Sequence, residues 1–401
     1  MPTIYVNCAL LNRGRVELKA ISEVFWRFLW LGCISFGGPA AHIGYFRKTF
    51  VERLGWLDEQ AYGRLIALSQ FLPGPGSSQI GFALGLQRAG LAGGVAAFLG
   101  FTLPSFLLLY GLAVGSSLMG AQLHGVISGL KLLAVVVVAD ACLTMFAGFC
   151  RTALARSLAL LTCVVLWLSP GLLVQLALLV VGALLGGRFL MPQVNEEVKR
   201  SNDDGVVYWP LLVLLCLSLA AVYFSAPLWV LFEAFFHSGL LVFGGGHVVL
   251  PLLQQTLGAS LEPESFLLGY AAAQGVPGPM FSLSAFLGAQ WGLLNDVSPL
   301  LGALVATLAI FLPGFLLVVA LLGAWESLAA KPRIAGAVAG INACVVGLLL
   351  AALYQPVFTS AVSSPVHMSA VAVGLFLLRG LRLPIVGLVV AFSAFGWWLG
   401  Y

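Results

Sequence analysis

The sequence predicts an all-α polytopic membrane protein: two inverted-topology repeats with broken or re-entrant helices, joined by a linker helix. Three observations carry this. The 401-residue chain is 61% hydrophobic and 8% charged, where a soluble domain is about 45–50% apolar and about 25% charged. Its apolar runs are continuous, about 20 residues long and rich in Leu, Val, Ala and Gly. That length crosses about 30 Å of hydrocarbon as a helix, and the lack of alternation argues against barrel strands. Finally, one series of glycine and proline landmarks occurs twice, as a duplicated transmembrane unit would show.

Taken in order, residues 1–20 are polar and basic (Arg13, Arg15, Lys19) and are expected to be cytoplasmic. No small-residue cleavage site follows the first apolar run, so no cleaved signal peptide is expected. The first repeat, 21–192, opens with a helix broken at Phe36-Gly37-Gly38 and a second element broken at Pro73-Gly74-Pro75. Two long helices and a hairpin over 158–189 complete it. Residues 193–225 form the connection: a polar stretch from Gln193 to Gly205, then an unmatched apolar segment, Tyr208 to Phe224, read as a linker helix. The second repeat, 226–401, repeats the plan and ends in a hairpin over 368–400.

The match between copies is made by residue type. Phe28, Gly32 and Phe36-Gly37-Gly38 correspond to Phe235, Gly239 and Phe243-Gly244-Gly245. Gln70 with Pro73-Gly74-Pro75 corresponds to Gln274 with Pro277-Gly278-Pro279, Leu103-Pro104 to Leu312-Pro313, and Gly125/Gly129 to Gly336/Gly340. The offset drifts only from about 204 to about 211 residues, as small loop insertions would produce. Basic residues then point to inversion, because cytoplasmic loops carry the excess of Lys and Arg. Arg151, Arg156, Arg188, Lys199 and Arg200 fill loops whose second-half equivalents have none, while Lys331, Arg333, Arg379 and Arg382 fill loops that are empty in the first half. The reading puts the amino terminus in the cytoplasm and the carboxyl terminus outside. Arg47, Lys48 and Arg53 fit only if the broken elements turn back inside the membrane, which would also face Glu262 and Glu264 outward; sequence alone leaves crossing and re-entry both open.

The breaks are where chemistry is expected. Paired glycines cost about 1 kcal/mol each in a helix and proline lacks a needed N–H, so Ser35-Phe36-Gly37-Gly38-Pro39 with His42 cannot be one helix. Non-helical backbone at membrane depth persists only where protein encloses it or it lines a wet cavity. Helix starts at such breaks present N–H groups that favour an anion. Around Gln70, Pro73, Gly74 and Pro75, the neutral donors Ser77, Ser78 and Gln79 add to that character without a buried cation. The second copy supplies Gly244, Gly245 and Gly246, Gln274 with Pro277, Gly278 and Pro279, and His247, which follows its glycine break at a position not equivalent to that of His42. Lys131 lies in an apolar run at the position of Asn342 and is the candidate for neutralising an anion. Asp140 lies on the opposite face of the same helix and is a candidate proton site, with a polar contact between helices as the alternative for both. His42 and His247 suit a proton-coupled step or an interfacial anchor. Gly125/Gly129 and Gly336/Gly340 read as helix-packing pairs.

Other classes find no support. The seven cysteines are scattered without ligand spacing, so no metal or other cofactor is expected. No phosphate-binding loop, zinc-protease motif or nucleophile–base constellation is present, which argues against an enzyme, and no basic, aromatic-interleaved run suggests nucleic acid. The segment Ser35-Phe36-Gly37-Gly38-Pro39 with His42, the stretch Trp56-Leu57-Asp58-Glu59-Gln60-Ala61-Tyr62, and Gln70-Phe71-Leu72-Pro73-Gly74-Pro75 resemble the first-half signature of the chromate ion transporter (CHR) family, long-chain bidomain type. Phe243-Gly244-Gly245-Gly246-His247 and Gln274-Gly275-Val276-Pro277-Gly278-Pro279 resemble its second-half signature. The resemblance implies export of chromate across the bacterial inner membrane, driven by an ion gradient such as protons, giving chromate resistance. Sulfate is close to chromate in shape, so a sulfate-like anion transporter or an anion channel on the same scaffold stays open. A homodimer is compatible with these features.

Overall fold

A computed structural model describes residues 18–119, 124–191, 205–220, 226–243, 248–258, 260–329 and 331–399. Among them the secondary structure is helical, with no strand. The first half comprises α1 (Leu18–Ile34), α2 (Gly38–Phe46), α3 (Glu59–Phe71), α4 (Gly76–Met119), α5 (His124–Phe149), α6 (Ala153–Leu168) and α7 (Leu172–Phe189). The linker helix α8 is Tyr208–Ala220. The second half comprises α9 (Pro227–Leu241), α10 (Val249–Leu257), α11 (Pro263–Gly275), α12 (Leu283–Leu294), α13 (Pro299–Leu321), the short α14 (Trp325–Ala329), α15 (Pro332–Ala352), the short α16 (Thr359–Ala361), α17 (Pro365–Arg379) and α18 (Ile385–Leu399). Four stretches, Gly76–Ser116, Gly125–Phe149, Pro299–Leu321 and Pro332–Ala361, are long and apolar enough to cross a membrane, and the chain is a polytopic all-α membrane protein.

Local chemistry sets the boundaries. Asp58, Thr152 and Ser364 cap α3, α6 and α17 by accepting the amides of Ala61, Ala155 and His367, and prolines open α9, α11, α13, α15 and α17, where a missing N–H costs nothing. α4 is two limbs, because Ala89 and Gly90 leave helical geometry between them and Gly90 has φ +63°. Its limbs correspond to the separate α12 and α13.

Side-chain contacts show that the first broken element turns back. The Phe28 ring of α1 lies 5.5 Å from that of Phe46 at the end of α2, and 4.9 Å from that of Phe50 in the π-helical turn Arg47–Arg53 that follows. A chain continuing in one direction would separate Phe28 and Phe46 by about 27 Å at 1.5 Å per residue. The second broken element returns as well: Arg88, closing the first limb of α4, pairs with Glu23 near the start of α1 at 3.0 Å and lies over the Trp56 ring at 5.2 Å. The start of α1, the loop before α3 and the kink of α4 therefore share one end of the molecule. The glycine and proline tips lie between the ends.

The second limb of α4 then runs to the far end. There the Gln290 amide, in the last turns of α12, donates to the Ala113 carbonyl at 2.8 Å and to Ser116 Oγ at 3.2 Å. α12 thus ends at the opposite end from its counterpart. α13 leads back, and the Val207 amide before α8 donates to Ala320 near its close at 3.0 Å.

The halves interlock through glycines. Gly125 of α5 faces the Gly396 carbonyl of α18, where an added Cβ would lie 2.8 Å from that oxygen, and Gly129 abuts the Phe392 carbonyl. In the same way Gly336 and Gly340 of α15 abut the carbonyls of Gly186 and Gly182 in α7. The central helix of each half thus packs on the hairpin of the other, with backbones closer than any Cβ would allow.

Candidate functional site

The two PGP tips meet the ends of α1 and α9, the helices that lead into the glycine breaks. The Gly278 amide donates to the Ser35 carbonyl at 3.0 Å, and the Gly74 amide donates to the Val242 carbonyl at 2.7 Å, so each PGP tip is tied to the opposite half's broken helix. His42 joins the two first-half tips: Nε2–H donates to the Ser35 carbonyl at 3.2 Å and Nδ1 lies 3.1 Å from Ser77 Oγ. A carbonyl only accepts, so in the neutral ring Nε2 carries the proton and Ser77 donates to Nδ1. Phe101 packs edge-on to the imidazole at 5.2 Å.

The glycines are there for backbone shape. Gly37, Gly38, Gly74 and Gly278 have φ of +99°, +74°, +117° and +101°, values that L side chains rarely adopt. Gly37 caps α2, with Pro39 in its first turn. A Cβ on Gly74 would lie 3.2 Å from Gly314 Cα, next to Pro313, and one on Gly278 would lie 3.0 Å from Ser105 Oγ, next to Pro104. Pro73, Pro75, Pro277 and Pro279 bracket these turns, and Pro75, Pro277 and Pro279 are buried. Phe36 and Gly37 are exposed, so the first tip has an open side.

At the start of α4 the residues change from shape to chemistry. Ser77, Ser78 and Gln79 are buried at its start; the Gln79 backbone amide donates to the Pro75 carbonyl at 2.9 Å, while the first-turn amides before it have no partner within the helix. The Gln79 side-chain Nε2 donates to the Pro73 carbonyl at 2.7 Å and to the Gly314 carbonyl at 3.4 Å. Four buried atoms near these tips have no hydrogen-bond partner: Ser35 Oγ, Ser78 Oγ, Gln79 Oε1 and Thr102 Oγ1. Leaving such a group unpaired costs about 1–3 kcal/mol, and a ligand with complementary atoms would satisfy it.

The remaining sequence candidates spread out. Gln70 is exposed on α3, whereas its counterpart Gln274 is buried and its amide contacts Met280 Sδ at 2.7 Å. Lys131 is half-buried, and its counterpart Asn342 is buried with Oδ1 unpartnered. Asp140 accepts from Arg379 Nη1 of α17 at 3.2 Å. Gly244, Gly245, Gly246 and His247 lie outside the described residues. Sequence reasoning missed a buried hydroxyl group at the second PGP tip, where Ser282 Oγ lies 2.6 Å from Ser105 Oγ and Ser284 donates to Thr307 at 3.2 Å. Ser282 is the counterpart of Ser78, so the repeat offset applied to Ser78 would have found it.

A family model described as chromate transporter matches residues 22–187 and 229–397. The chain is 28% identical over 398 residues to the chromate transport protein of Pseudomonas aeruginosa, covering 94% of this chain and 91% of that protein. It is 26% identical over 377 residues to the chromate transport protein of Cupriavidus metallidurans, covering 90% and 88% respectively. An uncharacterized transporter of Methanocaldococcus jannaschii is 24% identical over 345 residues, covering 82% of each chain. No solved structure matches the chain.

Proposed function

This chain belongs to the chromate transporter family, and on that premise we propose that it is a secondary active transporter exporting chromate across the bacterial inner membrane, giving chromate resistance. The observation that carries the reading is the convergence of helix starts and unpartnered buried hydroxyls, Ser35 and Ser78, at tips tied together by hydrogen bonds between halves. Chromate is a tetrahedral dianion. Helix-start amides and hydroxyl donors bind such an ion by oriented hydrogen bonds, with Lys131 as the cation nearest mid-helix on α5.

Orientation follows from charge. Lys19, Arg47, Lys48, Arg53 and Arg88 lie toward the end where α1 starts, as do Arg151 and Arg156 after α5, Arg188 at the close of α7, and Lys331 and Arg333 at the start of α15. Basic residues mark the cytoplasmic side. The amino terminus is then cytoplasmic, the carboxyl terminus periplasmic, and the halves are repeats of opposite orientation with re-entrant tips. An inside-negative potential of 100 mV is worth about 2.3 kcal/mol per charge, so a dianion leaving the cytoplasm moves with the field. A counter-ion such as a proton completes the coupling.

Proteoliposomes loaded with chromate, with and without imposed pH and potential gradients, test this. Gradient-dependent chromate efflux is expected. Chromate flux that follows only its own electrochemical gradient and ignores the imposed counter-ion gradient would instead establish an anion channel, and flux of sulfate without chromate a sulfate transporter on the same scaffold.

A further inference from the structure

A cavity of about 280 Å³ lies between α10, the ends of α6 and α15, and the turn after α15; Trp167, Gln254, Leu348, Ala351 and Gln355 are among the residues that line it. It sits at the end of the molecule away from the start of α1, because α15 begins beside the close of α7 and finishes here. Gln254 is five residues from Val249 at the start of α10, hence about 8 Å from that start along the helix. Gln254 Oε1 is buried without a partner. Close by in register, Gln175 of α7 is buried with both carboxamide atoms unpartnered: the contacts Gly186–Gly336, Gly182–Gly340 and Leu178–Cys344 place it level with Gly347 and Leu348. The wall itself combines apolar surface with the carboxamides of Gln254 and Gln355.

The repeat locates the equivalent place at the other end. The offset that carries Gly125 to Gly336 and Gly129 to Gly340 carries Asp140 to Ala351 and Val137 to Leu348. Counted from their caps, Thr152 and Ser364, Trp167 of α6 and Arg379 of α17 occupy the same helical position. At the cavity, Trp167 Nε1 donates to the Ala351 carbonyl at 3.2 Å. At the equivalent place Arg379 and Asp140 form an ion pair at 3.2 Å, and Val137 is buried. Leu348 is buried as well but lines the cavity, whereas at the equivalent place a partly exposed ion pair joins the two helices.

We propose that the cavity is the outer vestibule through which a hydrated oxyanion passes, with Gln254 and Gln355 as neutral donors, and that the Asp140–Arg379 pair is the gate closing its counterpart at the inner end. The assignment rests on the orientation and transport reading above. Neutral amides suit an exit, since they shed water from the anion without holding it as a cation would. The ion pair gives the inner end two discrete states, joined or parted, of the kind alternating access requires.

Site-specific labelling tests the proposal on the full-length chain with its native cysteines replaced, using a membrane-impermeant thiol reagent on vesicles of each orientation. Leu348→Cys is expected to label from the outer face and Val137→Cys to label slowly from either. Adding Arg379→Ala should raise inner-face labelling of the Val137→Cys variant by about five-fold or more. The exchange Asp140→Arg with Arg379→Asp should return it to the slow rate, which simple misfolding would not. Leu348→Cys labelling from the inner face or from neither, or an Arg379→Ala background that leaves Val137→Cys unchanged, would overturn the proposal. Chromate flux plays no part in these readouts, so their failure leaves the substrate reading standing, and absent chromate flux with this labelling pattern removes the substrate reading alone.

Discussion

Replacing Ser78 by alanine should weaken anion binding while leaving the fold as stable or more so. Ser78 is 3% exposed and its hydroxyl has no hydrogen-bond partner. In the empty protein, removing an unsatisfied buried hydroxyl relieves about 1–3 kcal/mol, set against a small packing loss. In the anion-bound protein the hydroxyl donates to a charged oxygen, a bond worth about 1.5–3 kcal/mol; the loss of that bond alone lowers affinity at least about 12-fold, and the relief in the empty protein adds to it. The adjacent Ser77→Ala change differs in sign, because it strands His42 Nδ1, which now accepts from Ser77 at 3.1 Å; a stability loss of about 1–3 kcal/mol is expected. Thermal unfolding in detergent and titration of chromate onto the purified protein measure both quantities. A Ser78→Ala protein that binds chromate within two-fold of the parent, or that unfolds earlier than the Ser77→Ala protein, would refute the reasoning.

Three further outcomes follow from the same contacts. Gly278→Ala meets both an unfavourable φ of +101° and Ser105 Oγ at 3.0 Å, whereas Gly38→Ala meets only φ +74° in open space; unfolding midpoints should show the first costing about 1–3 kcal/mol more. Asp58→Ala removes the cap of α3, whose Oδ1 accepts the Ala61 amide at 2.7 Å, and should cost about 1 kcal/mol by the same measurement. Lys131→Ala should lower chromate efflux from proteoliposomes while the protein still inserts into membranes; efflux at the parent rate would remove Lys131 from the site.

The parts of the fold legible in the sequence were those written as backbone chemistry. Phe36-Gly37-Gly38 and Pro73-Gly74-Pro75 forbid a continuous helix whatever surrounds them, and the structure breaks at both. Direction was not legible, because hydropathy has no sign along the chain: only the stacking of Phe28 on Phe50 and the meeting of Arg88 with Glu23 and Trp56 show the chain turning back. The cross-half bonds from Gly74 to Val242 and from Gly278 to Ser35 were likewise hidden, since they join residues far apart in sequence. For Asp140 the sequence leaves a proton site and a polar contact between helices both open without naming a partner, and Arg379 of α17 is placed against it by packing. Ser105, Ser282, Ser284 and Thr307 were passed over because scattered hydroxyls in apolar runs carry no motif; tertiary packing is what gathers them.

The central claim is that chromate binds where the broken helices meet. Chromium is heavy enough to locate directly by anomalous diffraction from crystals of the full chain soaked or grown with chromate. The account expects a peak within hydrogen-bonding reach of the Ser78 hydroxyl and the first-turn amides of α4, lost in the Ser78→Ala protein. A peak confined to another part of the molecule, with the start of α4 empty, would contradict it.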